Sequence, residues 1–378
     1  MGTFCTAGNV PRNGYSNEHC IESHVNRPGS HRPRLAVVFG GRSSEHGVSC
    51  LTAANVLRVI DTDRYEVVPV GITTDGQWVR ETASWSDLPA GTLPSVDPGL
   101  PPFGLDELRE VDVVLPLLHG PWGEDGTVQG LFEMAGVRYV GAGVLASSVA
   151  MDKPFTKTVF AAGGLPQIPY VAVLPGQWED DRERVVARVQ ALGLPVFVKP
   201  ARAGSSSGVA QVESWDDLES AIETAREFDP KVLIEAAAQG KRELECGVIQ
   251  QPDGSPVASV VGEIVVKPDS AHEFYDFEAK YLDGTSTNVV PADISEVLSE
   301  RIRGYAVQAF EAIGCEGLAR VDFFLTDGGE LVVNEINTMP GFTPYSMFPL
   351  LWEASGVPYA ELVDRLVQLA LNRPLGLR

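Results

Sequence analysis

The chain has 378 residues, 44% of them apolar, and 51 acidic against 29 basic residues, for a formal net charge of -22. That length accommodates two or three compact domains, and the charge excludes a phosphate backbone as partner, because nucleic-acid binding needs clustered Lys and Arg to displace counterions. No apolar run reaches the roughly 20 residues that cross a bilayer, and Cys5, Cys20, Cys50, Cys246 and Cys315 form neither a CxxC pair nor zinc spacing, so membrane, disulfide and structural zinc are all unexpected. Residues 1–33 are polar, rich in Asn, Ser, Pro and His, and lack a period of 2 or 3.6, which reads as a poorly ordered tail. With no basic start followed by an apolar block, the expected location is the cytoplasm.

From Arg34 the pattern alternates: strand 35–39, a Gly-Gly loop, helix 48–60, strand 65–72, a Pro-rich connection and strand 111–118. Continuous apolar strands separated by helices predict a parallel α/β domain over residues 34–146. Its ligands belong outside the carboxyl ends of the strands, in the loops after Phe39 and Leu118. A second block, 147–237, reads as α+β: helix 151–162, strands 170–174 and 195–199 around an amphipathic helix, the loop Gly204–Gly208, strand 209–213, another helix and strand 231–236. The third, 238–378, carries strands 244–250 and 260–266, a polar excursion 268–287, helix 294–313, a hairpin and a last helix from Tyr359.

The hairpin alternates as strands 319–326 and 331–337 around Asp327-Gly328-Gly329. Period 2 puts Arg320 and Asp322 on one face of the first strand and Glu335 and Asn337 on one face of the second. An even loop would bring Asp322 opposite or diagonal to Glu335, with Cβ atoms roughly 4.5 to 8 Å apart; an odd loop would set them on opposite faces. Two carboxylates that close repel unless a cation lies between them. So few oxygen ligands suit Mg2+, which completes its octahedron with water and substrate phosphates. The implied ligand is then a nucleotide, and the alternative is a solvated carboxylate pair on an edge hairpin.

Lys199 ends the apolar strand Val196-Phe197-Val198, where a charge needs an anion to meet. Shortly after it, Gly204-Ser205-Ser206-Ser207-Gly208 can close backbone N–H groups and hydroxyls on phosphate oxygens. This is no Walker loop, since no Lys-Ser/Thr follows the glycines, and a Gly/Ser turn by itself also closes hairpins. Lys153 is a second candidate cation or a surface residue of its helix. Glu235, at a strand end, and Glu243, across a short loop, suit adenine and ribose or are simply solvated.

With these residues in place the sequence resembles the ATP-grasp superfamily and, within it, the D-alanine-D-alanine ligases. The resemblance runs from about Arg34 to Pro374. It rests on Phe39-Gly40-Gly41-Arg42-Ser43-Ser44-Glu45, Leu118-His119-Gly120 with Glu124-Asp125-Gly126, Met151-Asp152-Lys153, Val198-Lys199-Pro200 with the Ser loop, Glu278-Ala279-Lys280-Tyr281, and Asn334 to Gly341. It implies a Rossmann-like N-terminal domain followed by a two-lobed ATP-grasp fold, with 268–287 as a mobile loop that excludes water from the acyl phosphate. It further implies that ATP phosphorylates the carboxylate of one D-alanine and that the amine of a second displaces phosphate, giving the dipeptide of peptidoglycan precursors.

Residue by residue, the resemblance places two Mg2+ ions, or Mn2+, on Asp322, Glu335 and Asn337. It assigns ATP to Lys153, Lys199, Ser205, Ser206, Glu235, Ala236, Ala238, Glu243, Lys280, Asn334 and Glu335. The positions matching the catalytic set are Glu45, Ser205, Tyr281, Arg320 and Gly341. Of these, Arg320 and the Gly341 N–H would face the transferring phosphoryl group and the oxyanion, while Glu45, Ser205 and Tyr281 would be hydrogen-bonded across the site. Glu45 would take the first ammonium with His119 near it, and Ser346 and Met347 would line the second amino-acid pocket. A homodimer is implied as well. Departures are the tail before Arg34, which has no counterpart, and Ala236 to Ala238, which replace bulkier residues and leave adenine contacts there to the backbone. Glu278 to Tyr281 argues for an amine nucleophile over D-lactate. Competing readings are a ligase with another acceptor, a kinase, against which Glu45 and His119 weigh, and a nucleotide-binding regulator, which would be expected to have lost Arg320 or Lys199.

Overall fold

Strand β1 (Arg34–Gly40) buries Leu35, Ala36, Val37, Val38 and Phe39 completely, which requires cover on both faces. Leu35, Val37 and Phe39 enter one apolar cluster and Ala36 and Val38 another. Parallel to β1 lie β2 (Glu66–Ile72) and β4 (Val113–Pro116), with β5 (Arg138–Tyr139) parallel to β4 and β3 (Trp78–Arg80) antiparallel to β2. The sheet, in order β3-β2-β1-β4-β5, is therefore mixed where an all-parallel one is predicted. The antiparallel edge is a three-residue strand inside the Pro-rich connection, too short to show a period. At the end of β1 the chain turns through Gly40 (φ +86°), where a Cβ would collide with the Ile72 carbonyl, and enters helix His46–Val59.

The predicted helix 151–162 is present as Lys153–Ala162, and a separate helix, Val144–Met151, precedes it. Asp152 leaves helical geometry between them and accepts a bond from the Phe155 N–H as the N-cap of the second, whose first turn holds Pro154. Strands β6 (Tyr170–Val173), β7 (Val196–Pro200), β8 (Ala210–Val212) and β9 (Val232–Ala236) form an antiparallel sheet in order β6-β9-β7-β8. Helices Arg182–Gln190 and Leu218–Phe228 cover one face of it. The other face carries Phe197, Lys199 and Glu235.

A third sheet, also antiparallel, joins β10 (Arg242–Gln250), β11 (Pro256–Val266), β12 (Ser286–Val289), β13 (Leu318–Leu325) and β14 (Leu331–Asn337) in order β12-β11-β10-β13-β14. Helix Glu296–Ala312 backs it through Ile302, Ala306, Ala309 and Phe310. After β14 the chain forms helices Met347–Ala354 and Tyr359–Asn372, whose Phe348, Trp352, Leu362, Val363, Leu366 and Val367 join the cluster around β1. The last helix thus completes the core of the first sheet.

These elements belong to a computed structural model that describes residues 32–81, 93–204, 207–238, 240–266 and 286–376. Pro33–Arg378 is one compact unit. The expected tail, almost all of the expected mobile loop, and Ser205, Ser206, Lys280 and Tyr281 lie outside the described residues. Among those described, no helix is long and apolar enough to cross a membrane.

Candidate active site

The hairpin decides where its acids point. Leu325 pairs with Leu331, so five residues lie between them, the odd case. Unbroken pairing from there would set Asp322 against Asn334 and turn Glu335 inward beside Val321. Instead the register slips: Phe323 pairs with Val333, but Asp322 pairs with Glu335 and Arg320 with Asn337. Asn334 is the extra residue of a β-bulge. Asn334 and Glu335 therefore stand in succession on the open face, while Val333 and Ile336 remain in the core. The predicted juxtaposition is present, but by a bulge and not by loop parity.

Across the sheet β10 sets Glu245 beside Asp322, so Glu245, Asp322 and Glu335 form one row. Arg320 occupies it electrostatically. Its Nε lies 2.8 Å from Glu245 Oε2, and Nε and Nη2 donate one to each Asp322 oxygen at 2.7 Å. Asn337 Nδ2 donates to Asp322 Oδ2 at 3.0 Å. Among the described residues no three His, Cys, Asp or Glu side chains form a group able to hold a metal ion by themselves. Asp322, Glu335 and Asn337 supply two carboxylates and an amide on adjacent rungs, a partial oxygen shell of the kind Mg2+ completes with water and phosphate oxygens. The donor set fits that ion.

This row lines a cavity of about 1140 Å3, shared with the open face of the second sheet. There Lys199 Nζ donates to Glu235 Oε2 at 2.5 Å, and Lys157 Nζ lies 2.6 Å from Glu235 Oε1. Burial alone would raise the Glu235 carboxyl; Lys199 and Lys157 override it and hold the group down to about 2. For Lys199, burial opposes the charge, but Glu235 raises its pKa above the usual lysine value. Lys153 stands one helical turn before Lys157 and donates to the Ala203 carbonyl at 2.7 Å. Burial lowers its pKa, Glu335 opposes that, and Lys199 adds to it. Three lysines face one carboxylate here, an excess of positive charge suited to phosphates.

Beside the lysines an apolar slot is formed by Ile168, Phe324 and Val332 with Ala236 and Ala238. The N–H groups of Ala236 and Ala237 are already committed, to the Pro169 and Pro195 carbonyls at 3.0 Å each, so of the backbone contacts expected for adenine these two are taken. Glu243 is paired with Lys241 at 2.8 Å, and Lys241 lies over the Phe324 ring, 4.3 Å from its centre.

At the N-terminal sheet, Glu45 is the N-cap of helix His46–Val59 and is buried. A Cβ on Gly120 would come within 2.7 Å of Glu45 Oε2, and one on Gly204 within 2.9 Å. The carboxylate is therefore enclosed by the loop after β4 and by the Gly/Ser loop after β7. His119 Nδ1 is 3.1 Å from the Met339 carbonyl, which can only accept, so Nδ1 carries the hydrogen. Burial lowers its pKa, against the pull of Glu45, which favours neutral imidazole. Glu124 accepts from the Gly120 N–H at 2.6 Å, and burial, followed by Glu45, pushes its carboxyl up to about 8. Gly341, Ser346 and Met347 line the same cavity, where Thr343 Oγ1 and Ser346 Oγ are 2.8 Å apart.

The cavity thus unites every described residue of the expected set. Sequence reasoning did not single out Lys157, Glu245, Lys241, Glu124 or Thr343. Lys157 had a signal in its helical spacing from Lys153, and Glu124 in the quoted Glu-Asp-Gly; Glu245 had none without the sheet order.

Known proteins resemble this chain along most of its length. Residues 34–142 match the family model described as D-ala D-ala ligase N-terminus, and residues 159–368 match D-ala D-ala ligase C-terminus. A D-alanine--D-alanine ligase of Arthrobacter sp. (strain FB24) is 53% identical over 384 residues, covering 96% of this chain and 100% of that protein. One from Mycobacterium avium (strain 104) is 52% identical over 375 residues, covering 92% and 99%. Among solved structures, the VanG D-Ala:D-Ser ligase of Enterococcus faecalis superposes with a TM-score of 0.75 at 33% identity, covering 90% of this chain and 100% of that one. The D-alanine-D-alanine ligase of Coxiella burnetii gives 0.72 at 32% identity, covering 90% and 94%.

Proposed function

The chain belongs to the D-alanine–D-alanine ligase family, and from that premise we propose that it joins two D-alanines through a D-alanyl phosphate, releasing ADP and phosphate. One observation carries this reading at the level of residues: a single cavity is lined both by Lys153 and Lys199 and by the carboxylate row with Arg320. Such a cavity suits a nucleotide whose phosphates meet the lysines and whose cations meet the acids.

In this reading Lys153 and Lys199 hold the α- and β-phosphates, Ile168, Phe324 and Val332 flank the adenine, and Asn334 and Glu243 lie toward the nucleoside. Asp322, Glu335 and Asn337 would hold two Mg2+ ions, or Mn2+, which when bound offset the charge on the phosphate oxygens. Glu45 takes the ammonium of the first D-alanine. A carboxylate oxygen of that D-alanine bonds to the γ-phosphorus as the bond to ADP breaks. The amine nitrogen of the second D-alanine then attacks the acyl carbon, the C–O bond to phosphate breaks, and the proton lost from nitrogen leaves with the phosphate.

Arg320 would exchange part of its bidentate pair with Asp322 for the transferring phosphoryl oxygens, a match its planar fork allows. Gly341 would offer its N–H to the oxyanion. Ser205 and Tyr281 complete the expected set with Glu45, and Ser206 and Lys280 that for ATP. Ser346 and Met347 line the acceptor pocket, with Thr343 orienting the Ser346 hydroxyl. Family membership also supports a homodimer, a cytoplasmic location and a Rossmann-like N-terminal domain, the last in keeping with the parallel order β2-β1-β4-β5.

The test is ADP and phosphate release with ATP and Mg2+, alone, with D-alanine and with L-alanine. Strict dependence on D-alanine, with one dipeptide per phosphate, is expected. Equal ADP release without D-alanine, or phosphate kept on a product, would overturn the reading.

A further inference from the structure

Helix Met347–Ala354 lies on the open face of the third sheet, over two positions without side chains. A Cβ on Gly247 would meet Trp352 Nε1 at 2.8 Å, and one on Gly262 would meet Met347 Sδ at 2.6 Å and Leu351 Cδ2 at 2.9 Å. Gly262 pairs with Glu245, so it continues the row Glu245–Asp322–Glu335 to its far end. Met347 therefore rests its thioether end on bare backbone in the row that carries the proposed cation ligands. Around it Ile264, Leu351, Val260 and Val290 are packed, and the remaining side is the cavity, which Met347 also lines with Ser346 and Thr343.

We propose that Gly262 sets the size of the acceptor pocket, by leaving a notch in which the Met347 side chain lies instead of projecting into the space for the second amino acid. The proposal rests on the ligase reading, since it assigns that end of the cavity to the acceptor. Packed interiors resist added atoms and flexible methionines move first. A methyl group at residue 262 would displace the thioether toward the cavity, the open side among the described residues. The chemical consequence is selection for an acceptor with a small side chain, made by a residue that does not touch the acceptor.

Initial rates over a range of D-alanine concentrations separate the constants for the first and second molecule bound. In Gly262→Ala the constant for the second D-alanine should rise about tenfold or more, the scale on which one methylene is discriminated in a pocket, while those for ATP and the first D-alanine stay within about twofold. Adding Met347→Ala to that variant should restore the second constant, and Met347→Ala alone should improve D-2-aminobutyrate as acceptor. A parallel rise for ATP, or a double variant as impaired as Gly262→Ala, would overturn the proposal. A second arm needs no turnover: with [methyl-13C]methionine, the resonance lost in Met347→Ala should move in Gly262→Ala, and an unmoved resonance would equally overturn it. Absence of D-alanine-dependent turnover in the unsubstituted chain would count against the ligase reading alone, with the methionine resonance still deciding the role of Gly262.

Discussion

Lys153 and Lys157 stand one turn apart on a regular helix and meet Lys199 and Glu235 from strands whose alternation is unbroken. Glu335 reaches Asp322 only because Asn334 is left out of the ladder. The two ends of the cavity are thus placed by opposite means, one by regular geometry and one by an interruption of it. They also differ in charge. The lysine end gathers Lys153, Lys157 and Lys199 around Glu235, and the acid row gathers Glu245, Asp322 and Glu335 around Arg320. Each end presents the sign opposite to that of the part of a metal–nucleotide complex it would meet. Burial strengthens both, since neither set of charges is screened as it would be at the surface.

The sharpest test of this contrast is at the lysine end. Lys157→Met removes one of two cations on a carboxylate that is only 3% exposed, and breaking such a pair should cost about 3–5 kcal/mol in urea unfolding. Lys157→Arg should recover part of it, and a loss below about 1 kcal/mol, the size of a surface pair, would mean Glu235 does not depend on Lys157. A smaller effect is expected from deleting Asn334. The ladder then runs without interruption, yet Glu335 still faces Asp322, so turnover should stay dependent on Mg2+ and fall about tenfold, the effect of ~1.4 kcal/mol. Loss of metal dependence would show that the bulge does more than set register.

The mildest test is titration of Glu124. Its carboxyl is raised from 4.5 to about 8, chiefly by burial and then by Glu45. Between those values the folded protein keeps a proton that the unfolded chain releases. A raised folded pKa gives stability that is full below the unfolded value and lost as pH rises through the folded one. Glu124→Gln cannot ionise, so its melting temperature should gain on the parent steadily from about pH 5 to pH 8. Parallel curves over that window would refute the raised pKa.

What the sequence shows follows the same division. Lys199 at the end of an apolar strand and the shared face of Glu335 and Asn337 were readable because regular periodicity survives in one dimension. The loop around Asp327-Gly328-Gly329 was readable too, but not its parity, and Asn334 carries no mark that distinguishes a bulged residue from a paired one. Glu245 needed the knowledge that β10 lies beside β13, and Gly262 needed the helix packed on it. The strands Trp78–Arg80 and Arg138–Tyr139 are shorter than any window in which a period can be recognised. Asp152, by contrast, could have been read as the cap that splits two helices, because Pro154 follows it.

The cluster around β1 contains Leu35, Val37 and Phe39 together with Leu362, Leu366 and Val367, which has a consequence for the order in which the protein is made. This sheet, with helix His46–Val59 already on the same face, cannot complete its cover until helix Tyr359–Asn372 has been synthesised. At about 5–20 residues per second that delay is on the order of tens of seconds. Throughout that interval the nascent sheet offers a partly covered apolar face that a chaperone could shield, and a chain stopped before Tyr359 would keep that face incomplete permanently.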